Sequence, residues 1–276
     1  MSPVLPAVWV RFDRHQVAVH SDAPEFLASL QASFAHMIGD GGGEPVARIE
    51  VTRAGQRYRG VGPAGAWGGD GTRDAALRWA RYQAIERLIL ARPDLLWLHG
   101  AVAGWRGRAV VMPGPRGRGK STLVTRICAR GWSFLTDDIL PIDPPTLRVL
   151  PFPQVPAVRP DPGRDLPEVW LRDAAKSEVR VDDRVASAPL PVGAIVLPEA
   201  RRGGSAQLQP CSSAEAVLEL ARGCWNFAEH GERAVAVLAR LVAGRPTFRL
   251  AFHHAEPAAD LIVRWAETAW PQGGPA

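Results

Sequence analysis

The chain has 276 residues, 46% of them hydrophobic and 22% charged, a balance that excludes a disordered or fibrous protein and allows one large domain or two modest ones. Its net charge of +5 comes from arginines interleaved with acidic residues along most of the chain, so no basic stripe forms and no nucleic-acid partner is expected. Cys128, Cys211 and Cys224 are too widely spaced for a zinc site or a disulfide framework, Met1 to Trp9 has no leader pattern, and no run of eighteen apolar residues occurs; these features predict a cytoplasmic protein with no membrane contact.

Taken in chain order, alternating apolar and polar residues over 8–12 and 17–20 predict a hairpin. A helix is expected over 24–37, with Asp22 as its cap, followed by strands over 47–52 and 56–61. Residues 74–90 carry an apolar stripe at helical spacing, from Leu77 to Ile89. From Leu95 the pattern changes to short hydrophobic strands, at 95–99, 109–112 and 133–136, flanked by glycine-rich turns. That is the pattern of an α/β nucleotide-binding domain. The proline-dense stretch 141–191 predicts loops and short strands, and 193–197 reads as a buried strand. Ser212 and Glu215 form a capping-box pattern at the start of a helix, and a helix at 232–242, a strand at 247–252 and a helix at 258–269 complete the chain.

The strongest motif spans 114–121. Gly114, Gly119, Lys120 and Ser121 match G-x-x-x-x-G-K-[ST] in full, with a predicted strand before it and a predicted helix after it. Glycines at 114, 117 and 119 let successive backbone N–H groups turn inward to bind phosphate oxygens at a helix N-terminus. Lys120 is expected to reach the terminal phosphates, with Thr122 also at the nucleotide and the Ser121 hydroxyl on Mg²⁺. The implied ligands are ATP and Mg²⁺. Arg116 and Arg118 occupy variable loop positions, where they either add charge to the phosphate site or are solvated.

Two carboxylates, Asp137 and Asp138, end a predicted strand seventeen and eighteen positions beyond Lys120. One suits the metal, and the other suits a base that takes the proton of an attacking hydroxyl. His99, twenty-one positions before Lys120, ends another predicted strand and is expected close to the phosphates. Lesser features have plainer readings. Trp225 and Phe227 are read as core residues with an acceptor groove as the alternative. His253 and His254 are expected to project to opposite sides of a strand end, and Arg201 and Arg202 to lie in a solvated turn.

The set Leu98, His99 and Gly100, then 114–121, then Arg130, Gly131 and Trp132 with Asp137 and Asp138, resembles the catalytic domain of the HPr kinase/phosphorylase family. The resemblance covers 95–143. It implies an α/β fold, the P-loop domain of the HPr kinase/phosphoenolpyruvate carboxykinase type, over 94–276, with a small α+β N-terminal domain over 1–93 that could hold the acceptor. It also implies phosphorylation of a serine-type hydroxyl, with Asp138 as base, His99 assisting at the phosphates, Lys120 and Ser121 on the nucleotide, and Asp137 with Ser121 on the metal. Glu168 or Glu178 would complete the metal site.

The chain departs from the family at Thr122, where glutamate is usual, and it lacks the arginine-bearing segment tied to phosphorolysis. The reverse reaction is therefore not expected. The layout is similar to divergent HPr-kinase-like proteins of peptide-modification systems, including lasso-peptide precursor kinases, so the implied acceptor is a peptide or small protein. A homo-oligomer is among the implied states. A kinase for a small-molecule hydroxyl and a non-catalytic ATP-binding regulator are the alternatives.

Overall fold

Period-two alternation builds the first sheet. The computed structural model describes residues 5–69, 71–158, 177–178, 181, 184–201 and 203–271; the chain is mixed α/β and divides into two units, Met1–Pro93 and Asp94–Ala276. In the first unit β1 (Ala7–Phe12) and β2 (His15–Ser21) form an antiparallel hairpin, with Val8, Val10 and Phe12 buried and Arg11 exposed. β3 (Ala47–Ala54) lies parallel to β2 after a crossover through α1 (Pro24–Ser33), and β4 (Arg57–Gly62) and β5 (Gly65–Ala66) complete the order β1-β2-β3-β4-β5. α2 (Arg73–Leu90) starts at Thr72, whose Oγ1 accepts the Ala75 N–H at 3.3 Å, and its fully buried Ala80, Ala84 and Leu88 pack on the sheet.

Two expectations for this unit are corrected. α1 ends at Ser33 rather than at 37, because the chain turns to run beside β1, where Arg11 N donates to Met37 O at 2.6 Å. Asp22 does not cap α1. Its carboxylate accepts the Arg53 N–H at 2.8 Å on the neighbouring strand, and the Ser21 hydroxyl accepts the Ala23 N–H instead, at 3.1 Å.

The second unit contains β6 (Leu96–Trp105), β7 (Arg108–Pro113), α3 (Lys120–Cys128), β8 (Ser133–Thr136), β9 (Ile139–Asp143), β10 (Arg148–Val149), β11 (Ala157–Val158), β12 (Ser177–Glu178), β13 (Leu190–Ala200), β14 (Gln207–Pro210), α4 (Ser213–Arg222), α5 (Phe227–His230), α6 (Glu232–Val242), β15 (Thr247–Phe252) and α7 (Ala255–Ala269). An eight-stranded sheet has the order β10-β9-β6-β7-β13-β15-β14, with β8 paired to β6. β7, β13 and β15 are mutually parallel; β7 and the centre of β13 are buried on both faces, whereas β15 keeps Phe248, Arg249 and Ala251 partly exposed. Alternation divides them: Val110, Met112, Ala194 and Val196 pack against α3 and α7, whereas Ala109, Val111, Ile195 and Leu197 pack against α4 and α6.

β6 is longer than the strand expected at 95–99. It changes partner part-way, pairing with β9 over residues 96–99 and with β7 over residues 100–105. Gly100 sits at the change, where an added Cβ would stand 3.0 Å from Leu140 and 3.2 Å from the Met112 carbonyl. On the side that β7 leaves open, residues 223–226 take its place. Gly223 O accepts the His99 N–H at 2.8 Å, Trp225 N donates to Trp97 O at 2.7 Å, and Asn226 accepts from Trp97 N at 3.0 Å while donating to Leu95 O at 2.8 Å. The Ser212–Glu215 capping box starts α4 as the sequence suggests. Residues 159–176, with Glu168 among them, lie outside those described. So does the Glu178 side chain.

Removing the Asn226 amide strips two bonds from a buried strand segment. Asn226→Ala is expected to cost about 2 kcal/mol. A fall in the urea midpoint at unchanged slope would record it, and a midpoint equal to that of the native chain would contradict the stapling role.

Candidate active site

β7 delivers the chain to Gly114, and the backbone then reverses through three glycines with positive φ, Gly114 at 138°, Gly117 at 86° and Gly119 at 84°. Side-chain-bearing residues avoid this region, so the glycine spacing in the sequence is what permits the loop. Gly119 is doubly constrained, since a Cβ there would fall 2.7 Å from the Phe252 ring. Immediately afterwards α3 begins at Lys120, with its N-terminal turn facing the loop. Arg116 and Arg118 are exposed on the loop.

Lys120 is 5% exposed. A buried ammonium is costly unless its three N–H groups are all used, and here they are. Nζ donates to Gly114 O at 2.7 Å, to Pro115 O at 2.8 Å and to His99 Nε2 at 3.0 Å.

His99 links this lysine to an aspartate. Its Nδ1 lies 3.0 Å from the backbone carbonyl of Asp138 and 3.1 Å from Oδ1 of the same residue. Both partners are acceptors, so Nδ1 carries the proton, and Nε2 presents a lone pair to the lysine. The ring is neutral. Burial, and after it the charge of Lys120, holds its pKa below the ordinary 6.5, against the opposing pull of Asp138. His99 is not at a strand end, as the sequence suggested. It lies inside β6, on the half that pairs with β9, one residue before the change of partner at Gly100.

The two aspartates serve different neighbours. Asp137 is buried and accepts a hydrogen bond from the Ser121 hydroxyl at 3.1 Å. Asp138 adopts φ 76°, the left-handed region, in the turn after β8, and its half-exposed carboxylate lies against His99. Thr136 Oγ1 donates to Ile139 O and closes the turn between β8 and β9 around the pair.

Ser121 Oγ and the Asp137 carboxylate are hard oxygen donors, the chemistry Mg²⁺ selects. No cluster of three or more His, Cys, Asp or Glu side chains suited to a metal occurs among the described residues. A Mg²⁺ ion held by these two groups would take its other oxygens from water and phosphate. Thr122 lies in the first turn of α3, partly buried, and its carbonyl accepts the Thr125 hydroxyl at 2.8 Å.

The structure thus brings together Gly114, Gly117, Gly119, Lys120, Ser121, Thr122, His99, Asp137 and Asp138 at one end of the sheet. Trp225, read from sequence as a core residue, is 50% exposed. Its ring lies 6.3 Å from the His99 ring, because the bonds of residues 223–226 to β6 hold it there. Its neighbour Phe227 does pack against the core. An apolar groove of about 510 Å³ between α4 and α6, bordered by Val217, Leu218 and Val235, includes none of these site residues. The three cysteines are free thiols, and burial pushes Cys128 up to about 12 and Cys224 up to about 11, so neither offers a thiolate.

No protein-family model matches this chain, and no curated protein matches it. The chemistry of the site is therefore read from its residues. No helix among the described residues is long and apolar enough to cross a membrane.

The depressed His99 pKa has a consequence for stability. The unfolded chain takes up a proton near the ordinary value of 6.5, whereas the folded chain does so only at lower pH, so the contribution of the neutral ring is present above 6.5 and lost as pH falls. Between about pH 7.5 and about pH 5.5 the native chain should lose more stability in urea melts than His99→Gln, which has no titrating ring. Equal losses in the two proteins would overturn the assignment of a neutral His99.

Proposed function

We propose that this chain is an ATP- and Mg²⁺-dependent kinase with a catalytic domain of the HPr kinase type, transferring a γ-phosphoryl group to a serine-type hydroxyl on a peptide or small protein. The observation that carries the reading is the chain of contacts from Asp138 through His99 to Lys120. A loop that only binds phosphate needs neither the histidine nor a second carboxylate. Here the histidine contacts the lysine that a triphosphate would meet, and the second carboxylate contacts the histidine.

In this reading the Gly114–Gly119 backbone and the α3 N-terminus bind the phosphate oxygens. Lys120 exchanges its loop carbonyl partners for those oxygens and offsets the charge that spreads over them as the bond to the leaving group breaks. Mg²⁺, held by Ser121 and Asp137, would supply further charge neutralisation. The acceptor oxygen forms the new bond to phosphorus, its proton passes to the Asp138 carboxylate, and ADP leaves. His99 holds Asp138 in place through Nδ1–H and remains neutral, which leaves the carboxylate as the proton acceptor. The exposed face of Trp225, beside His99, offers the acceptor an apolar contact.

Transfer from γ-labelled ATP to hydroxyl-bearing peptides tests the reading. Asp138→Asn should lower transfer by about a thousandfold or more while leaving ATP affinity within about twofold, since it removes the base and keeps shape and backbone preference. Full activity of that variant would remove Asp138 from its role. Lys120→Ala should abolish ATP binding. Trp225→Ala should raise the acceptor KM about tenfold with ATP affinity unchanged, and an unaltered KM would return Trp225 to a purely structural place. Transfer confined to small alcohols would name a small-molecule kinase, and tight ATP binding without transfer to any acceptor would name a regulator.

A further inference from the structure

The phosphate loop has two flanks, and the proposed chemistry uses one. On the β6 and β8 side stand His99, Asp137 and Asp138; on the other side β13 and β15 run parallel to β7 and end level with the loop. There Ala200 and Phe252 close on Gly119, at 3.7 Å and 2.7 Å from the position a Cβ would take. In open parallel sheets ligands lie beyond the carboxyl ends of the strands, so a nucleotide with its terminal phosphate near Asp138 carries its nucleoside toward this second flank.

What stands there is a pair of imidazole rings beside paired charges. Arg201 N donates to Phe252 O at 2.7 Å, and His253 Nδ1 donates to Arg201 O at 3.0 Å, which ties the ends of β13 and β15 together. β15 has ended by His253, so the two histidine rings do not project to opposite sides as a strand would require; they meet edge to face with centroids 4.3 Å apart. His254 is exposed and precedes α7 without using its ring to cap the helix. Among the described residues at these strand ends, Arg201 and Arg249 are matched, since Glu199 pairs with both and Glu215 pairs with Arg249 as well; Arg202 lies outside the described residues. A surface whose charges are already paired suits a neutral heteroaromatic ring better than another phosphate.

We propose that the heteroaromatic base of the nucleoside triphosphate stacks on the His253–His254 shelf at the ends of β13 and β15, with the exposed face of Arg201 beside it. The proposal rests on the phosphate-loop reading above and adds to it the base-recognition half of the site. The loop alone would bind any polyphosphate; the shelf makes the donor a nucleotide.

Calorimetric titration of the full chain with Mg²⁺-ATP and with base-free Mg²⁺-tripolyphosphate separates the two halves. The native protein should bind ATP about tenfold more tightly than tripolyphosphate. His254→Ala, which removes no hydrogen bond among the described residues, should bring ATP to within about threefold of tripolyphosphate and leave tripolyphosphate affinity unchanged, and His254→Phe should restore the preference through its ring. Equal binding of the two ligands by the native chain, or a parallel loss of both in His254→Ala, overturns the shelf. Tripolyphosphate that fails to bind, with ATP affinity indifferent to Lys120→Ala, overturns instead the phosphate-loop reading on which the shelf depends.

Discussion

A buried ammonium organises the candidate site. Removing Lys120 from water would cost several kcal/mol if its donors were idle, so the fold must place three acceptors around one nitrogen. Two are loop carbonyls, from Gly114 and Pro115, and the third is a histidine from the adjacent strand. The loop therefore wraps its own lysine, and the histidine must be neutral to complete the shell. That second requirement fixes which ring nitrogen bears the proton, and so what His99 offers to Asp138.

A second constraint is the division of labour between consecutive acids. On a continued strand consecutive side chains point to opposite faces. The left-handed turn at Asp138 ends that alternation, leaving Asp137 with the Ser121 hydroxyl and Asp138 with His99. One dihedral angle sets a hard-oxygen pair on one side and an exposed carboxylate on the other. Aspartate is among the few side-chain-bearing residues that accept such a backbone at low cost.

Much of this was legible in the sequence because the signals were local. The glycines around Lys120, the Ser212–Glu215 box and the alternating strands each declare themselves within a few residues, and all appear in the structure. What was not legible depended on distant partners. Asp22 looks like a cap until Arg53, thirty-one positions away, takes its carboxylate. β6 reads as ending at His99 because its second half is defined by β7 and β8, and Trp225 reads as core because the staple that holds it half exposed lies in Leu95 and Trp97. The contact between His253 and His254 had a signal, the proximity of the α7 start, but period-two reasoning carried one residue too far hides it.

Gly119 rests against Phe252, which comes from the last strand of the chain. The motif at 114–121 is continuous in sequence, yet its shape is completed by a residue more than a hundred positions later. Sheets that join such remote segments form slowly, because long loops must close before the contact is gained. During synthesis the glycine-rich loop would emerge early and remain an unshaped turn, reaching its final form only when β15 docks beside β13. On the proposed reading, competence to bind nucleotide would then be a late event in folding, timed by β15 rather than by the motif.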